Sequence, residues 1–316
     1  ARIDSIAGAF TRIPASTSNT LRQLGQINLS GTASISNQKG SFAGKLHTTP
    51  GNLDIHANLS QYGQYAPVAV SGNIHSSNLD VSQLAPSSEL GNIEFDINAD
   101  IKLGKKTKSG NISVDIPSVE WRGQTFSDIT AIIGSDNETV TASINIADPD
   151  VTLQANGLLN TGENPGVDIS ANIGNISTDI LKMDNKYAGY RLSAKINADF
   201  SGKSADYADG QLTVSDIRFL NDKGAGLNMP AISVDIHNSS LPQYTALSAG
   251  PVTGRMDGSY SYRTIGRSVK EILWNVFPSL IPEYTQPEID SKQVNDSTIR
   301  NDNFNYYINI TDNPQI

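Results

Sequence analysis

Apolar residues recur at every second position through most of this chain, and no other feature limits its fold so severely. Residues 92–103 read Asn-Ile-Glu-Phe-Asp-Ile-Asn-Ala-Asp-Ile-Lys-Leu, which puts Ile93, Phe95, Ile97 and Ile101 on one parity. The same period runs through Leu53, Ile55 and Leu59, through Ile112, Val114 and Ile116, and through Val140, Ile144 and Ile146. It continues at Val151 and Leu153, at Val167, Ile169 and Ile173, and at Leu192, Ile196 and Phe200. Leu212 and Val214, then Ile232, Val234 and Ile236, complete the series. Side chains of a strand alternate between two faces, so each segment has one apolar and one polar side. Half-solvated strands of this kind belong to antiparallel sheets, because parallel strands are covered on both faces and read as unbroken apolar runs.

Turn residues separate the strands. Asn37-Gln38-Lys39-Gly40, Gly134-Ser135-Asp136-Asn137 and Asn221-Asp222-Lys223-Gly224 are examples, with Gly and Asn at positions that tolerate positive φ. About sixteen strands follow from the spacing, enough for a sheet about 75 Å wide at ~4.8 Å per strand. Open sheets rarely exceed ~10 strands without curling, splitting or closing. The expected class is therefore all-β: a long, curled, mostly antiparallel sheet forming an elongated trough, with a few short helices.

A weak internal repeat adds to this. Gly72-Asn73-Ile74 is echoed by Gly174-Asn175-Ile176, and Ile97-Asn98-Ala99-Asp100 by Ile196-Asn197-Ala198-Asp199, at offsets of 102 and 99 residues. The order is kept, which suggests two similar units near 51–150 and 151–252. These lie within a β-trough spanning 25–263, preceded by a connecting segment with a short helical turn (1–24). Two places read as single helical turns, Asn78–Leu84 and Ser177–Met183. An amphipathic helix is expected within 264–282, where Val269, Ile272, Leu273, Val276 and Phe277 form one stripe behind a Ser268/Glu271 capping box. A flexible loop (283–303) and the start of a further strand (304–316), with partners beyond the chain, would follow. Both ends fall in mid-pattern, as in a fragment of a longer protein.

Chemistry-bearing clusters are scarce. The chain has no cysteine, which excludes disulfides, thiolate catalysis and Cys-ligated zinc. Its four histidines, His47, His56, His75 and His237, are scattered, so no metal site is expected. Asp148 and Asp150 flank Pro149 in what reads as a solvated turn. Neither a nucleophile elbow nor a phosphate-binding loop occurs. No catalytic residue, cofactor or enzymatic activity is expected. The net charge of −9 argues against nucleic acid as a partner. No run of about 18 apolar residues is present for a transmembrane segment.

Function must then lie in a surface. The aliphatic parity can pack against a second sheet as a closed sandwich, or it can line an open groove. Aromatic residues are only 7% of the chain, and an Ile/Val/Leu/Ala lining suits acyl chains, at about 0.8 kcal/mol per buried CH₂.

Several segments bring in a family. They are Gly51-Asn52-Leu53-Asp54-Ile55, Val70-Ser71-Gly72-Asn73-Ile74 with the Asn78–Leu84 turn, and Leu90-Gly91-Asn92-Ile93 leading into Asp96–Asp100. Their second-unit copies, and a Tyr260-Ser261-Tyr262 strand before the 267–277 helix, belong with them. Over most of residues 20–282 the chain resembles the TamB/AsmA-like superfamily, in particular the TamB-type (translocation and assembly module) proteins of Bacteroidetes. The resemblance implies a periplasmic section of a cell-envelope protein, anchored to the inner membrane in its full length. It implies phospholipid acyl chains as ligand, carried in a β-groove between inner and outer membranes, and an outer-membrane barrel protein as partner through regions outside this fragment. The alternatives are an outer-membrane protein assembly module acting by β-strand augmentation, and a structural β-domain with a closed core.

Overall fold

The computed structural model describes residues 24–60, 68–104, 108–180, 187–261 and 303–311. It is all-β. Among the described residues seventeen strands are hydrogen-bonded into one antiparallel sheet that is not closed. The first nine are β1 (Asn28–Ser36), β2 (Lys39–His47), β3 (Asn52–Ser60), β4 (Val68–Asp80), β5 (Leu90–Leu103), β6 (Lys108–Trp121), β7 (Gln124–Asp136), β8 (Thr139–Ala147) and β9 (Val151–Asn160). Next come β10 (Gly166–Ser177), β11 (Tyr190–Gly202), β12 (Ala208–Asn221) and β13 (Gly226–Met229). The last are β14 (Ile232–His237), β15 (Tyr244–Ala249), β16 (Val252–Ser259) and β17 (Asn303–Ile310). The helical elements among the described residues are 3-10 turns, at Val81–Gln83, Pro86–Ser88 and Ala205–Tyr207. The expected 264–282 helix, and all but the last residue of the 1–24 segment and of the 283–303 loop, lie outside the described residues.

The chain divides into two compact units: residues 1–162, 169–195 and 218–228 in the first, and 163–168, 196–217 and 229–316 in the second. In the first, β1 to β9 form a plain meander, each strand antiparallel to the next in sequence. Tight hairpins set the registers. The β6–β7 link is Arg122-Gly123 with φ of 54° and 77°, the mirror-image turn whose twist matches the strands it joins. Pro117 sits inside β6, where a proline would ordinarily cost a ladder hydrogen bond. It falls between the paired residues Ile116↔Ile129 and Ser118↔Ser127, beside Asp128, which takes φ 53°. The left-handed residue breaks the ladder where no N–H is available, so the proline is accommodated.

The buried apolar core of this unit is small. Val119, Phe126 and Ile180 pack together with Leu90, Ile93, Ile116, Trp121, Ile129 and Val151 around them. Ile180 ends the turn after β10, a place where the sequence shows a helical turn; the rest of that segment, 181–183, lies outside the described residues. The turn is held by Thr178, whose hydroxyl donates to the carbonyls of Tyr187 and Tyr190 at 2.6 and 3.0 Å. Asp148 departs from expectation. It is buried, because its carboxylate accepts from the Ser127 N–H (2.9 Å), the Ser127 hydroxyl (3.2 Å) and the Asp150 N–H (2.8 Å). It fastens the β8–β9 turn to the distorted stretch of β7.

In the second unit β12 pairs with β14, β14 with β15, β15 with β16 and β16 with β17. The last pairing corrects the sequence expectation for 304–316: the strand has its partner within the chain, at Val252–Ser259. Alternation alone shows that a strand exists but not which neighbour it finds. The Tyr260-Ser261-Tyr262 strand is corrected at Tyr260 and Ser261, while Tyr262 lies outside the described residues. β16 stops at Ser259, and Tyr260 turns inward at 1% exposure, its hydroxyl bonded to Asn238 Oδ1 (3.1 Å) and Thr245 Oγ1 (2.5 Å).

Candidate functional site

Residues directly opposite in an antiparallel pair project to the same side, so the registers decide whether the aliphatic positions of successive strands meet. In the first unit they do. Ile55 lies opposite Ile74, which is opposite Ile97, then Val114, Ala131, Ile144 and Ala155. A parallel row runs Leu59, Val70, Ile101 and Gly110. A third joins Ile116, Ile129, Ile146 and Leu153. Leu53 pairs with Leu46, Val140 with Leu159, Phe95 with Ser76 and Ile93 with Val119.

In the second unit Leu212 meets Val234, Leu247 and Gly254, while Val214 meets Ile232, Ala249 and Val252. Ile236 lies opposite Gly210, and a Cβ at Gly210 would strike the Phe200 ring, so Phe200 shares that side. Ile196 is half-buried on β11. Val167, Ile173 and Leu192 are half-buried on β10 and β11, and Ile169 is exposed.

These rows are uncovered to a degree unusual for aliphatic residues. Ile144 is 40% exposed, Leu159 44% and Leu103 52%. Among the described residues only Val119, Phe126, Ile180, Ala194, Ile217 and Tyr260 are buried apolar side chains. The opposite face of the first unit is polar. Asp54, His75, Asp96 and Asp115 form one cross-strand row. It is tied by Lys45 to Asp54 at 3.4 Å and by His75 Nδ1 to Asp96 at 2.9 Å. His56 continues the polar side opposite Asn73, and His47 Nδ1 contacts Asn52 Oδ1 at 2.8 Å. Ile132 and Leu158 are the exceptions, exposed among polar neighbours.

The second unit holds one acid–imidazole–hydroxyl grouping that the sequence hid. His237 Nδ1 is 3.2 Å from Asp209 Oδ1, and its Nε2 is 3.1 Å from the Ser240 hydroxyl. Asp209 also accepts from the N–H groups of Asn238 (2.9 Å) and Ser239 (3.0 Å) and from the Ser239 hydroxyl. Its lone pairs are spent on the turn after β14, so the grouping acts as a turn lock. A cleft of about 850 Å³ lies alongside, lined by Glu163, Lys203, Tyr207, Asp209 and Ser239 among others. No group of three or more metal-ligating side chains occurs among the described residues.

The hydrogen bonds from Ser239 hold the Asp209 carboxyl below the usual carboxylate range. A depressed carboxylate stabilises the fold above its unfolded pKa, about 3.9, and that contribution is lost as pH falls through the folded value. Asp209→Asn is therefore expected to lower stability at pH 7, with the gap to the parent chain closing below about pH 4. Urea midpoints measured from pH 7 to pH 3 check this; a gap that does not change with pH would refute it.

No family model, curated protein or solved structure matches the chain. Its class is thus defined by the geometry itself: an open antiparallel sheet with one aliphatic and one polar face. No helix among the described residues is long and apolar enough to cross a membrane.

Proposed function

We propose that this chain is a section of a periplasmic lipid conduit of the TamB/AsmA-like kind, which carries phospholipid acyl chains on its aliphatic sheet face while head groups stay in water. The observation that carries this is the set of cross-strand aliphatic rows left half-exposed in a single sheet. Covering ~100 Å² of such surface with an acyl chain is favourable by about 2.5 kcal/mol. No bond is made or broken; the face lowers the free energy of tails in an aqueous compartment. The protein would stand between the inner and outer membranes.

Photocrosslinkers at Ile97 and Ile144 are expected to capture phospholipid, whereas those at Asn98 and Asn145, on the other parity, are not. Equal capture by both pairs would sink the reading. Native mass spectrometry of the purified chain supplies the independent check, as co-purifying phospholipid mass.

A second reading rests on β1. All nine of its residues are exposed, and it contains neither a charge nor a proline, the usual guards of an edge strand. Paired with β2 along one side, such a strand, an edge among the described residues, suits β-augmentation by a nascent barrel strand. Crosslinks from β1 to outer-membrane protein strands, with no lipid on the aliphatic face, would favour assembly over transport.

A further inference from the structure

The aliphatic face of the first unit has two unlike ends. At one end Trp121, Phe126, Val119 and Ile180 fill the space over β6 and β7. At the other, among the described residues, the strands finish with exposed apolar side chains, Leu103 among them. The last cross-strand row there is Val68, Leu103 and Lys108. Over the stretches of β1 to β9 where the registers run without a shift, Lys108 is the single charged residue on the aliphatic side. Every other charge there, including Lys39, Lys45, Asp54, Asp96, Lys102 and Asp136, falls on the opposite parity. Lys108 is exposed, and its ammonium has no hydrogen-bond or ion-pair partner among the described residues.

An ammonium at this end of an aliphatic face, the single one on that side among the described residues, is complementary to an amphiphile with an anionic head. The distance suits a lipid tail. From Gly110 to Ile116 the strand rises about 20 Å at ~3.4 Å per residue. One leaflet of a bilayer's ~30 Å hydrocarbon core is about 15 Å deep, so a membrane-length chain fits before the filled end is reached. We propose, resting on the lipid-carrying reading above, that this face binds a net-anionic phospholipid in one direction. The phosphodiester sits at Lys108, and the tail methyls point toward Trp121 and Phe126. Lysine serves here as a point-charge phosphate binder on a flexible stem.

The test uses the full chain with phosphatidylglycerol. Lys108→Glu is expected to weaken binding about tenfold while leaving the circular dichroism spectrum unchanged, since charge-assisted contacts to phosphate are among the stronger hydrogen bonds. Lys102→Glu, one residue away on the polar side, is expected to leave binding within twofold. A phosphatidylglycerol carrying a diazirine at its tail terminus should crosslink near Ile116 and not near Leu103. Binding that is indifferent to Lys108→Glu, an equal loss from Lys102→Glu, or tail crosslinks at Leu103 would each overturn the proposed polarity while the conduit reading stands. Absence of any phospholipid binding by the parent chain would overturn both.

Discussion

Phe126→Ala is expected to destabilise the first unit by about 3–5 kcal/mol, the usual cost of truncating a buried phenylalanine. The effect is large because the buried core is small. Phe126 is 7% exposed and packs on Val119 and Ile180, with the Trp121 ring 6.1 Å away. Among the described residues no other apolar cluster of the unit is comparably covered. Against total stabilities of about 5–15 kcal/mol, that loss is a large fraction of what holds a domain folded. Urea unfolding followed by circular dichroism measures this. A shift below about 1 kcal/mol would mean that the unit is held by its backbone ladder and not by this cluster.

The contrast between Phe126 and the exposed rows also explains what the sequence makes legible. Period-two alternation specifies strands and sidedness, because a slip of one residue would turn Ile97 or Ile144 to the polar side. Local turn chemistry such as Arg122-Gly123 then joins successive strands. The sidedness of Ile55, Ile97 and Val114 is legible in this way, whereas their meeting through Ile74 comes only from the registers. Less local features were not. Nothing in Asn303–Ile310 tells that it pairs with Val252–Ser259, since many strands here offer the same pattern. Asp148 reads as a solvated turn residue because two of its three hydrogen bonds come from Ser127, on another strand. Asp209 and His237 lie 28 positions apart and meet only through the β12–β14 register. Lys108 looks like one more hairpin lysine until its pairing with Leu103 puts it on the aliphatic side.

The aliphatic face itself is tested most severely by placing charge on it. Ile133→Asp with Ile144→Asp is expected to abolish phospholipid capture, a loss of at least tenfold, with little change in unfolding midpoint. Both residues are already 39–40% exposed, so the new carboxylates remain hydrated in the free protein and cost little. A bound acyl chain would strip that hydration, and an uncompensated buried charge is strongly unfavourable. Ile132→Asp is the matched control. It removes the same side chain from the same strand, is 59% exposed, and lies beside Ser113 and Ser143 on the polar face. Lipid capture is expected to survive it. If Ile132→Asp abolishes capture as fully as the pair on the aliphatic face, the two faces are equivalent and the sheet is no conduit. If the pair unfolds the protein, those isoleucines serve the fold. An intact fold with selective loss of lipid is the outcome that separates an apolar surface kept for a ligand from one kept for a core, because only the former tolerates charge in the empty state.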